Sequence, residues 1–103
     1  MSKFVNCVRF IVQEGKGPDL LKAFEPAFEA KGMEQHFLVQ TGDREYLGIG
    51  VWDAKDSLVA ARPIMIAFLD TVRPFLDEIS PELGVTDPRS GFVVWDAPQK
   101  VSG

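Results

Sequence analysis

Six side chains carry most of the chemistry open to this sequence: His36, Arg9, Asn6, Tyr46, Trp52 and Arg62. His36 is the one imidazole in 103 residues, so proton transfer by histidine near neutral pH must use it. Set beside Phe37 on an apparent strand, it can equally face solvent or fill a polar gap. Arg9 interrupts an apolar run that reads as a central strand. There it must reach solvent, a carboxylate of a neighbouring strand, or a cavity where its planar fork could bind an anion or phenolate. Asn6 is the other polar interruption of that run and lies on the opposite face by alternation. One of the pair therefore faces a cavity and the other does not, unless a bulge intervenes. Tyr46 and Trp52 share a strand face with two glycines. They can stack on an aromatic ligand, with the Tyr hydroxyl as proton donor, or pack a dimer contact. Arg62, beside Pro63, either points to a cavity mouth or is a solvated helical arginine. His36 and Arg9 are thus the candidate catalytic groups, and Asn6, Tyr46, Trp52 and Arg62 the candidate substrate contacts.

Other chemistries find little support. Cys7 has only Arg9 as a cationic neighbour in sequence and reads as a buried, inert thiol. One histidine and dispersed carboxylates give no metal-ligand spacing. Gly48 and Gly50 lie inside a strand rather than at a strand-to-helix turn, so they are not a nucleotide-binding loop. No cofactor is expected.

The elements that must position these groups follow from periodicity. Residues 3–13 are rich in Val, Phe and Ile, without Gly or Pro, and read as a first strand. Pro18 and Asp19 suit a helix N-terminus. Leu20, Leu21, Phe24 and Phe28 continue at helical spacing, with a kink expected at Pro26 and a C-cap at Gly32. Residues 33–41 and 45–52 read as two strands joined by a turn at Gly42 and Asp43. In the second of these strands, Leu47, Ile49 and Val51 alternate with Tyr46, Gly48, Gly50 and Trp52. The aliphatic set is expected under helices, leaving the aromatic and glycine set to frame a space.

Asp53 and Asp56 can cap the next helix. Pro63 is expected to break it into a short and a long piece. The long piece carries a stripe of Met65, Phe68, Leu69, Val72, Leu76 and Ile79. Residues 80–90 read as a loop and 91–96 as a last strand. One domain over 1–97 and a flexible tail at 98–103 complete the organisation.

Composition excludes several classes. The net charge is −4, with 11 basic residues scattered among 15 acidic ones, which argues against nucleic acid and against an anionic membrane surface. A single cysteine rules out an intrachain disulfide framework. The longest apolar run, residues 64–69, is far too short to span a bilayer. A cytoplasmic protein is expected.

The order β-α-β-β-α-β in about 100 residues predicts an α+β, ferredoxin-like fold: an antiparallel four-stranded sheet with both helices on one face. The uncovered face needs a partner, and the economical one is a second copy closing a dimeric α/β barrel.

The segment Gly48-Ile49-Gly50-Val51-Trp52-Asp53-Ala54-Lys55-Asp56-Ser57-Leu58, the run Ala61-Arg62-Pro63-Ile64-Met65-Ile66-Ala67-Phe68-Leu69-Asp70 and the loop Gly84-Val85-Thr86-Asp87-Pro88 resemble the antibiotic biosynthesis monooxygenase-like family. The resemblance spans residues 3–96. It implies a dimeric barrel, and for some members cofactor-independent oxidation of polyphenols or quinols by molecular oxygen. Others degrade haem with an Asn, a Trp and a His. Here the second helix has no histidine, Ala61 aligns with the catalytic Trp, and Asn6 is displaced by two residues, so the haem set is not met. A small aromatic ligand follows from the resemblance. Non-catalytic ligand binding or an accessory role is the alternative.

Overall fold

The computed structural model describes residues 2–98. Its elements run β1 (Phe4–Val12), α1 (Gly17–Phe24), β2 (Met33–Gln40), β3 (Glu45–Trp52), α2 (Lys55–Val72), a 3₁₀ turn (Arg73–Phe75), β4 (Leu76–Asp77) and β5 (Asp87–Phe92). All pairings are antiparallel, and the sheet order is β2-β3-β1-β4, with β5 also on β1. β4 pairs with Ile11 and Val12 while β5 pairs with residues 4–9. The two thus share one edge of β1 end to end, and the sheet is four strands wide. This is the expected α+β, ferredoxin-like architecture.

Prolines set several boundaries differently from the periodicity. α1 stops at Phe24 rather than kinking and running on, because Pro26 follows at once and Ala27 takes a left-handed φ of 45°. Gly32 (φ 87°) therefore caps no helix. It makes the turn into β2, where a side chain would collide with Asp53 and Ser57. Pro63 does not break α2, which is continuous over 18 residues. Pro63 and Val59 are exposed, so the one backbone carbonyl freed by the missing N–H meets water.

α2 is capped at Ala54, not by an aspartate. Asp53 instead accepts a hydrogen bond from the Ser57 hydroxyl at 2.6 Å. Pro74 ends the helical run, so Leu76 joins β4 and neither it nor Ile79 extends the α2 stripe. The last strand is Asp87–Phe92, not 91–96, and it incorporates part of the expected loop. Pro88 is tolerated because β5 is an edge strand. Beyond it Val94 and Trp95 are 95% and 77% exposed. Of the tail expected at 98–103, only Pro98 lies within the described residues.

The largest reversal concerns the faces of β3. Tyr46, Gly48, Gly50 and Trp52 are buried on the helix-covered face, and Leu47, Ile49 and Val51 lie on the other. Bulk explains it. The large aromatic rings need the deeper layer, between sheet and helices, to lose their water. Two core clusters form there. One gathers Phe10, Val12, Leu20, Tyr46, Val72 and Leu76. The other gathers Phe4, Trp52, Leu58 and Ala61.

Candidate functional site

Between the two clusters, the covered face of the sheet carries no bulky side chain on β3. Gly48 and Gly50 stand there, and a cavity of about 40 Å³ opens above them. Phe10 bounds it at one end and Trp52 at the other, with Phe68 and Met65 of α2 above. An added Cβ at Gly48 would meet nothing closer than Phe10 at 3.8 Å, so this glycine leaves room that another residue would fill. At Gly50 the same Cβ would fall 2.5 Å from Asn6 Oδ1 and 3.0 Å from Trp52 Nε1. Glycine is required there so that these two side chains can meet.

They meet in a hydrogen bond. Trp52 Nε1 donates to Asn6 Oδ1 at 2.7 Å. The bond fixes the Asn6 amide, with its carbonyl oxygen used by the indole. Its NH₂ makes no hydrogen bond among the described residues, so it offers a ligand two N–H donors.

His36 stands in the same row of the sheet. Gly50 pairs with His36 on one side and Asn6 on the other, and Asn6 pairs with Ser90. The row His36–Gly50–Asn6–Ser90 therefore crosses all four strands on the helix-covered face. With strands about 4.8 Å apart, His36 and Asn6 have backbones roughly 10 Å apart with a glycine between them. His36 sits in an aromatic box, its ring centroid 5.0 Å from Phe28, 5.8 Å from Phe68 and 6.1 Å from Phe24. Burial among these rings pushes its pKa below the ordinary value. The imidazole is thus held neutral at pH 7, with one nitrogen to donate and one to accept, and it makes no side-chain hydrogen bond among the described residues.

The remaining candidates lie elsewhere. Arg9 is on the open face, 3.3 Å from Asp87 and 3.5 Å from Glu45. The carboxylates of neighbouring strands claim it, and it does not join His36. Tyr46 is on the covered face but in the first core cluster, stacked on Phe10 at 6.3 Å, with its hydroxyl toward Gly17 at the start of α1. Arg62 is on α2, outside the cavity, and lines a second groove beside β5.

So the cavity joins His36, Asn6 and Trp52 of the six and leaves out Arg9, Tyr46 and Arg62. It lies between sheet and helices of one chain, not between two sheets. Phe24, Phe28 and Phe68 were not singled out. Phe24 ends α1, Phe28 lies in the irregular segment after it and Phe68 is on α2, and their one signal was their place in the apolar helical spacing.

No family profile and no curated protein matches this sequence. Solved structures do match. SnoaB, a cofactor-independent oxygenase of Streptomyces nogalater, superposes with a TM-score of 0.76 at 18% identity, over 96% of this chain and 100% of that one. The fold is shared. A candidate antibiotic biosynthesis monooxygenase of Chloroflexus aurantiacus gives 0.70 at 16% identity, over 94% and 98% of the two chains. A dimeric ferredoxin-like protein from an uncultured marine organism gives 0.71 at 13%, over 97% and 95%. The neighbours are antibiotic biosynthesis monooxygenase-like proteins of ferredoxin-like fold, as the sequence resemblance implies. No helix of the described residues is long and apolar enough to cross a membrane.

Proposed function

We propose that this chain is a homodimeric oxygenase-like enzyme that oxidises a small phenolic or quinol-type molecule with molecular oxygen, without a bound cofactor. The observation that carries the reading is the pairing of a neutral, half-buried His36 with the unpartnered NH₂ of Asn6 across a glycine floor. That arrangement suits a substrate that must lose a phenolic proton. His36 accepts the proton, and the Asn6 NH₂ stabilises the oxyanion left behind. The electron-rich anion then supplies electrons to oxygen, and the aromatic walls keep the ring dry and oriented. Likeness of fold to a cofactor-independent oxygenase supports the reading at the level of architecture.

The cavity is small for an aromatic ring. A cavity that takes benzene is on the order of 150 Å³. Entry therefore requires the Phe28 segment, residues 25–30, to swing outward. That segment is irregular and carries the one left-handed non-glycine residue among those described.

The homodimer joins the open sheet faces. Phe37 (43% exposed) and Val39 (36%) lie there with Leu47, Ile49 and Val51, and no helix of the described residues covers them.

Oxygen uptake with a naphthohydroquinone, corrected for autoxidation, tests the enzyme reading. A saturable rate that falls at least about tenfold in Asn6→Ala and in His36→Phe is expected. Saturable binding of the quinol without oxygen uptake would leave a non-catalytic ligand-binding protein instead.

A further inference from the structure

Beside the aromatic cavity, on the other side of Asn6, runs an open groove of about 390 Å³ between α2 and β5. Asn6 lines both spaces. The groove walls are apolar, made by Leu58, Met65, Ile66 and Leu69 of α2 over Val8 and Pro88 of the sheet. Its polar groups are all donors or able to donate. Arg62 projects from α2 one turn after Leu58. Ser90 pairs with Asn6 in register and so shares the covered face. Trp52 holds the Asn6 oxygen, and the Asn6 NH₂ has no hydrogen-bond partner among the described residues.

Two further facts make this set unusual. None of the residues lining the groove is acidic, in a chain with 15 acidic residues and a net charge of −4. Moreover, Arg9, Arg44, Arg73 and Arg89 each have a carboxylate within 4.0 Å, whereas Arg62 has none among the described residues. Arg89 also borders the groove, but its guanidinium is 3.6 Å from Asp87 on the other face. Arg62 is thus the free cation over an apolar trough.

We infer that this groove is a subsite for a carboxylate, and that Arg62 selects ligands whose aromatic ring carries an anionic substituent at the end opposite the reacting hydroxyl. The inference rests on the cavity reading above for the placement of the ring. The carboxylate lies between the Arg62 guanidinium and the Ser90 hydroxyl, while the ring passes Asn6 toward His36. A charge-assisted contact of this kind contributes about tenfold or more in affinity. Because the groove is open to water, the contribution weakens with salt.

Calorimetric titration of the intact protein at pH 7 with two probes tests it. One is a naphthol. The other is a hydroxynaphthoate with hydroxyl and carboxylate at opposite ends of the ring system. The hydroxynaphthoate is expected to bind about tenfold tighter than the naphthol at low salt. Arg62→Gln should abolish that advantage and leave the naphthol affinity unchanged. Equal affinity for the two probes, or equal weakening of both by Arg62→Gln, would overturn the subsite. Naphthol binding without a carboxylate advantage leaves the cavity reading standing and the subsite refuted. A hydroxynaphthoate that binds through Arg62 while the naphthol does not bind at all upholds the anion site and refutes the cavity reading. Failure of both probes to bind refutes both.

Discussion

The two faces of one sheet show two ways of using the same alternation. On the covered face, Phe10, Tyr46 and Trp52 are 1%, 6% and 1% exposed, and the row His36–Gly50–Asn6–Ser90 runs between the core clusters. On the open face, Val5, Cys7 and Ile11 of β1 lie beside Leu47, Ile49 and Val51 of β3, all partly exposed, with Arg9 bridging Asp87 and Glu45. Polar groups on the covered face are few, and a glycine is kept clear for their meeting. Polar groups on the open face neutralise one another. A ligand site needs unused hydrogen-bonding capacity in a dry setting, and only the covered face has it. An interface needs apolar area and satisfied charge, which is what the open face presents.

Substitutions can break this contrast, and the largest effect belongs to the covered face. Trp52→Ala removes a fully buried indole and orphans Asn6 Oδ1, and should destabilise the fold by about 3–5 kcal/mol at any protein concentration. Ile49→Asp on the open face should act differently. Sedimentation should find it monomeric, and its stability deficit against the parent should grow as concentration rises, because the parent gains stability from association. A concentration-independent loss would contradict the proposed dimer face.

The two glycines sharpen the comparison within the covered face. Gly50→Ala must displace Asn6 or Trp52 and should cost about 2 kcal/mol in urea unfolding, with loss of their hydrogen bond. Gly48→Ala meets Phe10 and the Val8 carbonyl, both at ordinary contact distance. It should stay within about 1 kcal/mol of the parent while narrowing the cavity.

His36 gives a pH signature. Its folded-state pKa lies below the unfolded value of about 6.5. The unfolded chain therefore binds the proton first, and stability should fall as pH drops below that value toward the folded-state pKa. His36→Phe should flatten this part of the pH profile. The smallest effect is expected at Arg9. Its half-exposed ion pairs contribute under about 1 kcal/mol, and Arg9→Gln should leave binding of a naphthol in the cavity unchanged.

Much of this was legible in the chain. The unbroken apolar run of β1, Pro18 at the first turn of α1 and the Gly42–Asp43 turn between β2 and β3 each act locally, so local rules find them. The row of site residues was half legible. Alternation places Asn6 and Arg9 on opposite faces, and polarity marks both as unusual. What alternation does not carry is which face receives the helices, because both faces of β1 and of β3 are largely apolar. The aliphatic set of β3 reads as core by hydropathy, yet the aromatic set won by size. The long second helix was misread for a different reason. Pro63 costs one hydrogen bond wherever it sits, but whether that breaks a helix depends on whether water can reach the freed carbonyl.

The sequence by itself determined the order of elements, the antiparallel ferredoxin-like plan and the small set of polar side chains within apolar strands, because these depend on neighbours close in the chain. Only the tertiary structure decided that Asn6 rather than Arg9 faces the cavity, that Gly50 exists to let Trp52 reach Asn6, and that His36, two strands away, completes the row. Those outcomes depend on register across strands and on which layer can bury an indole, and neither quantity is written in any single segment.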